Sequence, residues 1–121
     1  MPKCILIVDD HQNVRKLIRS FLETETGFKV CGEAVDGLDA LQKVASLKPD
    51  LIVLDFQMPR MNGLDTARIL RQTLPAVPII LFTLHKELIP VAEVSSLGIN
   101  AVLSKTDGLD LLASHAARLL G

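Results

Sequence analysis

Residues 51–59, Leu51-Ile52-Val53-Leu54-Asp55-Phe56-Gln57-Met58-Pro59, run four branched apolar side chains straight into a carboxylate. A strand with one wet face alternates apolar and polar positions. A run with no polar position is what a strand covered on both faces requires. A lone charge at the end of such a strand is expensive to bury. Asp55 therefore needs company, and the rest of the chain shows where that company comes from.

Runs of the same kind recur at Cys4–Val8, Phe28–Cys31, Val77–Phe82 and Ala101–Leu103. The segments between them carry helical periodicity: Leu17, Ile18, Phe21 and Leu22 share one face, as do Leu38, Leu41, Val44 and Ala45. Leu64, Ala67, Leu70 and Leu74 mark a third helix, and Leu109, Leu112, Ala116 and Leu119 the last. A fourth helix, over Ile89–Leu97, is expected to start at Pro90, since proline is tolerated only in a first turn. Strands alternating with helices imply a parallel sheet covered on both sides. Asp36-Gly37-Leu38-Asp39, Asn62-Gly63-Leu64-Asp65 and Asp107-Gly108-Leu109-Asp110 each precede a helix. They lack the spacing and closing glutamate of a calcium loop, so each is expected to cap its helix.

In a parallel sheet every strand points the same way, and ligands bind outside the carboxyl edge where strand order reverses. What ends each run is therefore informative. Val8 is followed by Asp9-Asp10, Leu54 by Asp55, Phe82 by Thr83, and Leu103-Ser104 by Lys105. If the five strands take the order 2-1-3-4-5, which spacing alone does not prove, Asp9, Asp10 and Asp55 would face one another. Two like charges 4 Å apart repel by about 4 kcal/mol at an effective dielectric near 20. Either one aspartate takes a proton or a cation sits among them. Oxygen ligands alone favour Mg²⁺. With Lys105 and Thr83 on the same rim, the set suits an anion whose charge spreads in a transition state, with Asp55 as nucleophile. Asp10 is also expected to cap the first helix.

Taken together, "ILIVDDHQNVRKLIRSFLE", "VCGEAVDGLDAL", "PDLIVLDFQMPRMNGLD", "IILFT" and "NAVLSK" resemble the receiver domains of bacterial two-component response regulators, most closely those of LuxR/NarL-type transcriptional regulators. The resemblance covers essentially the whole chain. It implies a flavodoxin-like (βα)₅ domain over residues 1–121, with the effector domain outside this chain. It also implies that Asp55 is the phosphoacceptor, with a sensor histidine kinase as donor. Mg²⁺ would be held by Asp10 directly, by Asp9 mainly through water, by Asp55 and by the main-chain carbonyl of Gln57. Thr83 and Lys105 would each bind a phosphoryl oxygen. A homodimer through the fourth helix, fifth strand and fifth helix, or through the first and fifth helices, is a further expectation. Departures from the family pattern fall on the output side: Val102 stands where a switching aromatic is common, and Leu84 is bulkier than the usual residue after the threonine.

Other protein classes fit these residues less well. A haloacid-dehalogenase-like phosphotransferase needs an acid two residues after its nucleophile, where this chain has Gln57. A Toprim-like enzyme needs a DxD motif and an upstream glutamate, and neither is present. A receiver that acts by binding alone would have no use for the full Asp-Asp-Asp-Thr-Lys set. A net charge of −1 and the absence of Trp and Tyr argue against direct nucleic-acid binding. No run reaches the roughly 18 apolar residues of a membrane span, and no signal peptide opens the chain, so a cytoplasmic setting is expected. Cys4 and Cys31 are expected to be two reduced, buried thiols. His11, His85 and His115 are expected on the surface.

Overall fold

The computed structural model describes residues 3–121. Strands β1 (Cys4–Val8), β2 (Lys29–Ala34), β3 (Leu51–Leu54), β4 (Ile79–Thr83) and β5 (Ala101–Ser104) alternate with helices α1 (Gln12–Thr26), α2 (Gly37–Leu47), α3 (Gly63–Thr73), α4 (Val91–Ser96) and α5 (Leu109–Leu120). All strand pairs are parallel, as the alternating pattern required, and the order is β2-β1-β3-β4-β5, as the family resemblance implied. The side chains of β3 explain its unbroken apolar run. Leu51 and Val53 enter the core under α1 and α5, while Ile52 and Leu54 enter the core under α2 and α3. All four are buried, each contributing roughly 1.5–3 kcal/mol of transfer free energy. No helix among the described residues is long and apolar enough to cross a membrane.

Helix starts only partly follow the expected capping. Asp36 and Asn62 accept the N–H groups of Asp39 and Asp65, so two of the three related motifs are caps. The third is not: Gly108 occupies the cap of α5 and offers no side chain, while Asp107 closes a 3₁₀ turn over Lys105–Asp107. Nor does Asp10 cap α1. His11 holds that position, and Asp9 Oδ1 accepts the His11 N–H at 2.8 Å. Pro90 precedes α4 at its cap with φ −67°, and a 3₁₀ turn over Lys86–Leu88 fills the connection from β4.

The expectation of two free thiols is overturned. β2 runs on to Ala34, three residues past the expected end, and its pairing with β1 slips: Ile5 faces Val30 but Leu6 faces Gly32. Cys31 is the extra residue of this bulge, and a bulge re-aims the side chain it carries. Cys31 is joined to Cys4 in a disulfide with Cα atoms 5.3 Å apart, beneath the carboxyl end of α2. A Cβ at Gly32 beside it would lie 2.6 Å from Leu47 Cδ1, so the end of that side chain would have to shift. The bond closes a loop of sequence separation 27, for which chain entropy gives a stabilisation of about 3 kcal/mol. Denatured, unreduced protein is expected to take up no thiol label, and reduction is expected to lower the melting temperature. Two labelled cysteines without reductant would overturn the pairing.

Candidate functional site

The carboxyl edge of the sheet gathers the residues that the strand ends pointed to. Asp9 and Asp10 leave β1, Asp55 leaves β3, Thr83 ends β4 and Lys105 follows β5. Backbone bonds hold the edge in register: Asp9 N–H donates to the Ala34 carbonyl at 3.1 Å, and Asp55 N–H to the Val8 carbonyl at 2.9 Å. Lys105 Nζ donates to Asp9 Oδ2 at 2.6 Å and to Asp55 Oδ2 at 3.2 Å. Its side chain is only 12% exposed, so it is no snorkelling surface lysine. Thr83 is fully buried, and its Oγ1 accepts the His85 N–H at 3.2 Å, which leaves the hydroxyl proton free to donate elsewhere.

The electrostatics follow from burial. Asp55 is 5% exposed, and this desolvation pushes its carboxyl above the ordinary value; Lys105 pulls it down and the Asp9 charge pushes it up again. For Lys105, burial works against the charge, but the hydrogen bond it donates to Asp9 and the charges of Asp55 and Asp9 outweigh it, so the ammonium is held above its usual range.

Ligand atoms of Asp9, Asp10, His11 and Asp55 all lie within 4.8 Å of one another. Asp10 Oδ1 is buried yet makes no hydrogen bond among the described residues. Beside it stand the carboxylates of Asp9 and Asp55 and, 3.2 Å away, His11 Nδ1, which offsets its charge only when protonated. With a neutral imidazole, three converging carboxylates are what a hard divalent cation would satisfy, so these residues fit one. Gln57 is exposed and lines the same small cavity, about 60 Å³, with His11, Asp55, Thr83, Leu84, His85 and Lys105. Pockets for organic substrates run to about 300–1,000 Å³. The hollow beside Asp55 is far smaller and suits a compact anion.

Two supports were missed in the sequence. Arg15, at the inner face of α1, donates from Nη1 to the Asp9 carbonyl at 2.7 Å and from Nε to Glu33 at 2.9 Å, pinning the turn that carries the acidic pair. Arg60 pairs with the buried Asp36. The only advance signal for Arg15 was a cation on a helix face otherwise turned to the sheet.

The chain matches the model of the response regulator receiver domain over residues 5–117 and belongs to that family. It is similar to a protein-glutamate methylesterase/protein-glutamine glutaminase of a Nocardioides species, 43% identical over 97 residues that cover 80% of this chain and 26% of that protein. A LuxR-family two-component response regulator from an Aurantimonas species superposes with a TM-score of 0.87 at 28% identity, over 100% of this chain and 87% of that one. The response regulator TrrA of Thermotoga maritima, in complex with Mg²⁺-BeF, gives a TM-score of 0.85 at 32% identity, over 97% of this chain and 98% of that one. Among the curated relatives matched first, this chain spans between 21% and 51% of their length.

Proposed function

We propose that this chain is a phosphorylation-controlled signalling switch of the cytoplasm that takes a phosphoryl group on Asp55 from a phosphohistidine of a sensor kinase. The observation that carries this reading is the meeting of Asp9, Asp10, Asp55, Thr83 and Lys105 at one sheet edge. A carboxylate oxygen of Asp55 attacks phosphorus. The P–N bond of the donor breaks, its electron pair returns to the imidazole, and an acyl phosphate forms. Asp9, Asp10, Asp55 and the Gln57 carbonyl would hold Mg²⁺, which when bound neutralises charge building on the transferring group. Lys105 moves from the carboxylates to a phosphoryl oxygen, and the free proton of Thr83 donates to another. The similarity to a regulator solved with Mg²⁺-BeF supports this assignment.

A shift of Thr83 towards the phosphoryl group would bias the segment after β4, which packs little of its apolar surface. Leu84 and Leu88 are exposed, and Val91 is 83% exposed at the head of the six-residue α4. Val102 lines an apolar hollow of about 130 Å³ with Ile89, Val91 and Val94, and any switch would have to couple Thr83 to this region without an aromatic ring. A ligand shifts such an equilibrium only by its differential affinity for the two states. The face of α4, β5 and α5, or that of α1 and α5 with Leu17, would carry self-association. Output through a LuxR-type DNA-binding domain outside this chain is the reading favoured by the Aurantimonas regulator. The methylesterase relative sets a second output, catalysis by another domain, beside it.

The test is incubation with acetyl phosphate and Mg²⁺ followed by intact mass measurement. One phosphoryl adduct per chain is expected, and chelation of the metal should suppress it at least tenfold. Rapid turnover of varied phosphate esters would point to a hydrolase instead.

A further inference from the structure

The connection from Asp55 to α3, residues 56–62, is held in an unusual way. Arg60 sits at φ 70°, in the left-handed region that favours glycine, and it is one of two non-glycine residues there among those described. Something must offset that conformation. The Arg60 guanidinium reaches across to the turn between β2 and α2, where Nε donates to Asp36 Oδ2 at 3.0 Å and Nη2 donates to the same oxygen. Asp36 is 4% exposed, and its other oxygen accepts the Asp39 N–H at 2.8 Å as the cap of α2. The hydrogen bond from Asp39, and then that from Arg60, hold its carboxyl below the ordinary range.

The consequence lies three residues upstream. At one end the loop is anchored by Gly63 N–H donating to the Phe56 carbonyl at 2.7 Å. Gly63 has no room for a Cβ against the Asp55 carbonyl. At its apex the anchor is Arg60. Between them, the main chain of Gln57 makes no hydrogen bond to the described residues. Pro59 fixes its own φ and confines Met58 to extended conformations. So the short span from Phe56 to Arg60, which carries Gln57 beside the hollow at Asp55, is held at both ends. Gly37, packed against Thr66 and Met61 with no space for a side chain, presses the two turns together.

We infer that Arg60 is a positioning residue, whose bond to Asp36 fixes the loop that aims the Gln57 carbonyl at the cation site. This rests on the reading of that site given above. The Arg60 side chain is 60% exposed, so the bridge adds little to global stability. Its removal should appear in cation affinity rather than in folding.

The test is a Mg²⁺ titration followed by amide ¹⁵N NMR on the wild type, R60G, D36N, the double variant and D10N, with thermal melts alongside. Glycine suits φ 70°, and asparagine at 36 keeps the cap on α2 while losing the charge. R60G and D36N should each weaken Mg²⁺ binding by about threefold to tenfold, a modest effect because one ligand of several is disturbed indirectly. The double variant should be no weaker than either single one, as expected for partners in one bridge. R60K should recover part of the affinity, since lysine supplies charge without the fork. Even without metal, amide signals of Gln57–Asn62 should shift or broaden in R60G and stay put in D10N.

Mg²⁺ affinity and loop signals unchanged in R60G and D36N would overturn the positioning role. Wild type without a saturable Mg²⁺ response at Gln57, or D10N binding as well as wild type, would sink the cation site itself. Should R60G melt more than about 10 °C lower, D36N and the loop signals in R60K decide the matter.

Discussion

Asp55→Asn is expected to abolish the phosphoryl adduct and, in metal-free protein at neutral pH, to raise the melting temperature by a few degrees. The first half follows from the chemistry: an amide nitrogen or oxygen in that place is no substitute for a carboxylate nucleophile. The second half follows from burial. Folded Asp55 holds its carboxyl above the ordinary aspartate value of 3.8, chiefly because the side chain is desolvated. Folded protein therefore holds this proton more tightly than unfolded protein does. The stabilisation that proton brings is complete below 3.8 and is lost as pH rises through the folded value. At neutral pH the ionised, desolvated carboxylate is a burden carried next to Asp9. Asparagine removes it. The gain in melting temperature should be present at pH 7, shrink towards pH 4 and be reversed by Mg²⁺, which stabilises only the wild-type trio. A variant that melts lower than wild type at pH 7 without metal would show that Asp55 is net stabilising, and that Lys105 outweighs its desolvation.

The same contrast explains what could be read before the coordinates. Asp55 and Lys105 were legible because each follows an apolar run, and a parallel sheet sends all such ends to one edge. Lys105 stands 50 residues from Asp55 in sequence, so only the sheet joins them; alternation implied that the strands are parallel, while their order came from the family resemblance. What escaped notice depended on local irregularity. β2 continues through Gly32 and Glu33, which look unlike a strand. Glu33 is polar because Arg15 and Arg19 of α1 pair with it on the inner side of an edge strand. The bulge at Cys31 cannot be seen in spacing, and without it nothing brings that sulfur to Cys4. The Arg60–Asp36 bridge needs a left-handed arginine, which no propensity would suggest. Asp10 was expected as a helix cap, yet it is Asp9 that turns one oxygen to the His11 amide, leaving Asp10 Oδ1 beside the His11 imidazole and within the acidic cluster. Competition between neighbouring acids for one amide is settled by backbone geometry.

Lys105→Met should produce the largest loss of stability, about 3 kcal/mol or more, and the loss should be largely reversible by Mg²⁺. Asp9 and Asp55 have 2% and 6% of their side-chain surface exposed, and Lys105 Nζ contacts both. Among the described residues, the nearest other basic side chain to these oxygens is His11, 68% exposed and 3.4 Å from Asp9 Oδ1; it counts as a cation only when protonated. Removing the ammonium leaves two buried carboxylates without their counter-charge, a change that costs roughly 3–5 kcal/mol in comparable buried pairs. For a domain of this size that is on the order of 10 °C in melting temperature. Methionine keeps the length of the stem, so the loss reports charge and not packing. Two controls separate the electrostatic account from a packing one. Adding Asp55→Asn to Lys105→Met should restore much of the stability, because one of the two stranded charges is gone. Saturating Mg²⁺ should raise the melting temperature of Lys105→Met more than that of wild type, because the cation takes over a neutralising role that lysine otherwise fills. A single variant that melts within about 2 °C of wild type in chelator would mean that water reaches these carboxylates and screens them. In that case the edge would be an exposed acidic cluster and not a desolvated site held together by one ammonium.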